Sequence, residues 1–135
     1  MATLDTALQQ LITAVTERIG MKLLWSNASP TSGFAAQTIS LDLSGYDFVA
    51  IQHRWGTTVE DYHFSIVGKS KKTHLKQLEN ASYANVILTS RGVTVTNTGV
   101  TFEAGYSKTI YSSSSGGSQT TSLIPVAIYG LKGVI

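Results

Sequence analysis

The sequence predicts a mainly β protein: an N-terminal α-helix followed by an antiparallel β-sandwich of jelly-roll type. Three observations carry this. Residues 1–20 hold an apolar stripe at helical spacing, everything after Gly20 alternates with period two between turn-forming residues, and no second helical segment interrupts that alternation. At 135 residues the chain has the length of one domain with a full core. The expected division is residues 1–20, for oligomerisation or anchoring, and residues 21–135, the β-sandwich head.

In the helix, Leu4, Leu8, Leu11 and Val15 are spaced by four, three and four residues, a seam of two heptads. Thr3 is the expected cap and Gly20 the expected stop. A helix of about 16 residues is marginal alone in water, so its stripe needs a partner surface. That partner is either the same chain's core or further copies of the chain. Ile12 beside the seam and Ala7 and Ala14 flanking it broaden the apolar face and suit a trimer or larger bundle.

Strands follow in "KLLW", "QTISLDL", "YDFVAIQHRW", "EDYHFSIVG", "ANVILTS", "GVTVTNTGVTFEAG" and "SLIPVAIYGLKGVI". An even loop around Asn97-Thr98 pairs Val95 with Val100 and Val93 with Phe102, placing all four on one face. Applied to the next candidate hairpin, the same parity argument aligns Val49 and Ile51 with Ile66 and Phe64. It places His53 near Tyr62 and sends His63 to the opposite face, so no metal site is expected within one chain, although copies of one histidine about a three-fold axis could hold an ion. His74 falls in a Lys-rich loop. The last run is apolar on both parities, with Ile124, Val126 and Ile128 on one and Leu123, Ala127, Tyr129 and Leu131 on the other. Such a strand requires cover on both faces, from a neighbouring subunit or from the chain's own helix. Pro125 points to the start or edge of that strand.

Composition narrows the chemistry. Charged residues make up 13% of the chain against a usual ~25%, and Ser and Thr fill about a quarter of it, so the surface is polar with few charges. A net charge of +2 gives no ground for nucleic acid or an anionic membrane as partner, and the N-terminal segment is too polar to insert in a membrane. There is no cysteine. Nucleophile-elbow, phosphate-loop and zinc-binding His-Glu motifs are missing, and Glu60 and Asp61, adjacent on a strand, would point to opposite faces. The reading is therefore non-enzymatic, without cofactor or metal. The basic cluster "KSKKTHLK" reads as a solvated loop, since no aromatic is interleaved to stack on bases. Asn27-Ala28-Ser29 and Asn80-Ala81-Ser82 match the glycosylation acceptor pattern by chance.

The tract "YSSSSGGSQTTS", residues 111–122, is the leading binding candidate. It joins two strands with too little apolar content to cover the core, and is expected to project as a mobile loop. Tyr106, Tyr111, Ser113, Ser114 and Gln119 combine aromatic rings with adaptable hydrogen-bonding groups, as binding loops for glycans and varied protein surfaces do.

Two segments, "LLWSNASPTSGFAAQTISLDLSGYDFVAI" at 23–51 and "LIPVAIYGLKGVI" at 123–135, resemble the small C-terminal β-rich heads of bacteriophage tail-fibre, baseplate and head-fibre proteins. The resemblance implies a homotrimer, with the helices as a short stalk and three β-domains around the axis, bound to other virion proteins. It also implies loops displayed to a host-surface glycan or protein. With two heptads and no long shaft, the expectation is a complete small virion protein or the tip of a longer one. The alternatives are a capsid decoration or head-fibre protein bound to the capsid lattice, and a monomeric carbohydrate-binding module.

Overall fold

The computed structural model describes residues 2–56, 62–82, 85–110 and 117–133. Helix α1 (Ala2–Ile19) leads into β1 (Met21–Ser26), and the remaining strands are β2 (Gln37–Ser40), β3 (Phe48–Trp55), β4 (Tyr62–Gly68), β5 (Lys72–Ser82), β6 (Asn85–Thr96), β7 (Gly99–Thr109), β8 (Ser118–Thr120) and β9 (Leu123–Leu131). Gly20 separates helix from strand as expected. Thr3, however, lies inside the helix, which begins at Ala2, and so is not its cap.

The strands form two antiparallel sheets. Sheet A has the order β1-β9-β3-β4; sheet B has β2-β7-β6-β5, with β8 added to the far half of β7's free edge. One feature of the topology follows from turn chemistry. Asn97 and Thr98 close a two-residue hairpin, which pairs Val95 with Val100 and Val93 with Phe102, the register that parity predicts. All four side chains are buried and join Leu75, Phe34, Leu43, Val49, Ile51, Val67, Leu123, Ile124 and Ile128 in the core. Phe34, in the β1–β2 loop, meets Trp25 and Phe102 edge to face at ring-centroid distances of 6.3 and 5.4 Å. This knits the loop to both sheets.

Several expectations are corrected. "KSKKTHLK" is only partly a loop: Lys72 onward belongs to β5, and His74 sits on that strand opposite Gly92. Few apolar residues mark β5 because it is an edge strand, where lysines on the solvent side discourage further pairing. "ANVILTS" and the run after Gly92 form one strand, β6. Pro125 lies near the start of β9, but β9 is central, between β1 and β3; its missing N–H falls beside a bulge at Val126, which absorbs the break in the ladder. Asn27, whose match to the acceptor pattern reads as chance, has its side-chain amide donating to the Pro125 carbonyl at 2.9 Å and its oxygen accepting from Ser29 N.

The β3–β4 register differs by one residue from the parity reading. Val49 faces Val67, Ile51 faces Ser65, and His53 faces His63, so the two imidazoles share one side of the sheet with ring centroids 5.9 Å apart and planes nearly parallel. Phe64 and Ile66 consequently point outward. Glu60 and Asp61 lie outside the described residues.

Candidate functional site

Helix α1 presents a free apolar face. Every side chain from Thr3 to Ala14 is exposed, Leu4, Leu8 and Leu11 among them, so the sandwich does not cover the seam. Val15 lies in the same helix; its side chain is outside the described residues.

The outer side of sheet A continues this apolar surface. Antiparallel partners share a face, so the register generates cross-strand rows. One row runs Met21, Leu131, Phe48; the next runs Leu23, Tyr129, Ala50, Ile66. The Phe64 and Tyr129 rings lie on this side with centroids 6.1 Å apart and planes tilted by 46°. Met21, Leu23, Phe48, Phe64 and Ile66 are roughly half exposed or more, up to 70% for Ile66. With each offering some 200 Å² in full, the patch is on the order of 500 Å², at the top of what monomeric proteins leave in water. Here the two-sided apolar pattern of the last strand finds its reason: Ile128 serves the core, while Tyr129 and Leu131 serve the outer face.

Sheet B differs. Its outer side is mostly polar, carrying Thr38, Thr101, Thr94, Lys72, Lys76 and Tyr106, with an ion pair of 2.8 Å between Lys72 and Glu103; Leu78 and Leu88 are an exposed apolar pair on the same side. In the tract after β7, the expectation of one projecting loop is corrected over its described part. Ser118–Thr120 form β8, with Gln119 opposite Tyr106, so two of the five candidate loop residues meet on one face. Tyr111, Ser113 and Ser114 lie outside the described residues.

Between β2, whose pairing with β7 reaches Phe102, and β8, which ends opposite Gly105, no described strand pairs with the edge of β7 at Glu103 and Ala104. These two residues form a bulge opposite Gly92, where any larger residue would strike the Glu103 side chain. The opening is a notch of about 460 Å³ lined by Phe34, Ala35, Ala36, Ala104, Gln119, Thr120 and Thr121.

Arg91 builds this notch. Its side chain is fully buried, with Nε donating to the Leu123 carbonyl at 3.0 Å, Nη1 to Glu103 at 2.6 Å and Nη2 to Phe34 at 2.6 Å. The guanidinium also lies 5.3 Å from the centre of the Phe34 ring. Burial lowers its pKa to about 10, which leaves it charged at neutral pH. Three carbonyls from three segments thus converge on one cation. The sequence does contain a signal for Arg91, because it shares parity with Val93 and Val95 and so belongs to the inward side of its strand.

A second polar group spans the sheets. His53 Nδ1 lies 3.2 Å from Gln77 Oε1 and its Nε2 lies 3.0 Å from Ser65 Oγ, while Gln77 Nε2 donates to Glu79 at 2.8 Å. Because the Gln77 amide nitrogen is committed to Glu79, its oxygen faces the ring, which makes Nδ1 the protonated nitrogen and Nε2 the acceptor. Burial pushes the His53 pKa down to about 4, against a smaller upward effect of Gln77. Among the described residues no group of three or more His, Cys, Asp or Glu could hold a metal. No protein-family model, curated protein or solved structure matches this chain.

Proposed function

We propose that this chain is the β-rich head of a self-associating bacteriophage virion protein of the tail-fibre, baseplate or head-fibre type. It forms a homotrimer through α1 and the outer side of sheet A and presents sheet B to the host surface. The observation that carries the reading is the uncovered apolar stripe of α1, which ends one residue before an edge strand of the sheet whose outer face is itself apolar. Helices bundled at 8–10 Å between axes would bring the β1 strands of the copies together at the base of the bundle. The rows starting at Met21 and Leu23 would then meet across the axis, forming an interface of low charge like a domain core cut in half. A monomeric carbohydrate-binding module accounts for the notch but leaves both apolar surfaces in water.

The test is the mass in solution by light scattering. The native chain is expected at three chain masses, and Leu8→Asp with Leu11→Asp at one, with an unchanged β-sheet circular dichroism spectrum. A native monomer, or a double variant that keeps the trimer mass, would remove the assembly reading.

A further inference from the structure

The notch at the edge of sheet B has the chemistry of a small neutral ligand site. Its walls belong to three segments, and each segment supplies one of the carbonyls held by Arg91; Phe34 N further donates to the Thr121 carbonyl at 3.0 Å. A site fixed in this way loses little entropy when it binds. Among the described residues no charged side chain lines it, which disfavours phosphate, carboxylate or ammonium ligands. The lining divides into an apolar part, Phe34 with the methyl groups of Ala35, Ala36 and Ala104, and a polar rim containing Gln119 and Thr121. Thr120 is already committed, donating to Ser122 Oγ and accepting from Ser122 N. Two residues along β7 from Ala104, the exposed Tyr106 projects from the same side beside Gln119.

A strand from a partner could not add here, because β2 and β8 leave only two residues of β7 open, too short a run for edge pairing. A pyranose ring matches instead. It has an apolar C–H face for the alanine methyls and tyrosine ring, and equatorial hydroxyls for an amide and a hydroxyl at the rim; the volume lies within the range of small-ligand pockets. We infer that this notch binds a neutral pyranose sugar, with Ala35, Ala36, Ala104 and Tyr106 against the ring and Gln119 and Thr121 on its hydroxyls. The inference rests on the reading of the chain as an attachment head, and supplies the class of surface ligand for it. Weak single sites would gain strength from several copies on one particle.

The experiment is an amide-shift titration of the full chain, isotopically labelled, with glucose, galactose, mannose and N-acetylglucosamine in turn, each to about 20 mM. Saturable shifts at Ala35, Ala36, Ala104, Gln119 and Thr121 with a millimolar Kd for at least one sugar are expected. Ala104→Leu, which fills the notch, should weaken binding by at least about tenfold. If that variant does not fold, Gln119→Ala on the exposed rim decides, with an expected loss of about fivefold. No saturable shift with any of the four sugars, shifts centred elsewhere, or native affinity in the folded variant would overturn the inference. Light scattering on the same samples separates the two readings, since a trimer that binds no sugar refutes the notch alone and a sugar-binding monomer refutes the assembly alone.

Discussion

The outer faces of the two sheets are built on the same antiparallel backbone, yet Met21, Leu23, Phe48, Phe64 and Ile66 occupy one and Lys72, Lys76, Thr94, Thr101 and Gln119 the other. A two-layer sandwich needs apolar side chains only on its inner faces, and sheet B follows that rule over most of its outer side, where Leu78 and Leu88 form one exposed apolar pair beside the lysine and threonine rows. Sheet A has apolar residues on both faces, the pattern of a sheet buried between two layers. Among the described residues only one of those layers is present. On the proposed reading the difference reports on assembly: the sandwich core is complete without the outer rows of sheet A, and a neighbouring copy would supply the third layer.

The largest expected effect tests this contrast. Ile66→Asp, on a side chain 70% exposed, should reduce the solution mass from three chains to one, while costing the folded monomer no more than about 1 kcal/mol. Lys76→Glu, at an exposed outward position on sheet B, should leave the mass unchanged. If both variants keep the native mass, sheet A's face takes no part in assembly. If both lose it, the contrast between the faces has no meaning for assembly.

How much of this was legible in the chain depends on which face a residue serves. The β6–β7 hairpin could be read because Val93, Val95, Val100 and Phe102 are apolar on one parity and Thr94, Thr96 and Thr101 polar on the other, so only one register buries the first set. The β3–β4 hairpin could not, because Phe64 and Ile66 look like core residues and are not. Their outward placement is part of the apolar outer face, and a strand apolar on both sides does not fix its own register. Residues 111–122 read as one polar loop because no apolar residue marks Ser118–Thr120 as a strand; its pairing comes from the free edge of β7, a tertiary cause. The notch was illegible for a similar reason. Phe34 and Thr121 are 87 positions apart in the chain and are joined only through the folded edge of sheet B and the buried Arg91.

Arg91 supplies the second test, now of sheet B. Arg91→Met keeps much of the side chain's length and apolar contact but leaves the carbonyls of Phe34, Glu103 and Leu123 without this donor. Unfolding by urea should show a loss of about 3–5 kcal/mol, the range for breaking a buried charged network. Native hydrogen exchange should locate faster opening at the notch-lining segments, with the β3–β4 hairpin of sheet A less affected. A loss below about 1 kcal/mol would mean that the carbonyls find other partners, and the notch would not depend on the arginine.

The smallest effect concerns the polar bridge that joins the sheets at His53. In the folded chain its pKa is near 4, against 6.5 for an ordinary histidine, chiefly because charging it would place a cation in the interior beside His63 on β4; Glu79 lies only behind Gln77 on β5. Above about pH 6.5 both folded and unfolded chains hold it neutral, and its contribution to stability does not vary. Between 6.5 and 4 the unfolded chain binds a proton that the folded chain refuses, so stability falls as pH falls, and below 4 the loss reaches its limit of about 3 kcal/mol. Urea midpoints taken from pH 7.5 to pH 4.5 should therefore decline for the native chain and decline less for His53→Leu, even though that variant is less stable at neutral pH for want of a partner to Gln77. The same slope in both would place the titration elsewhere and remove His53 from the account.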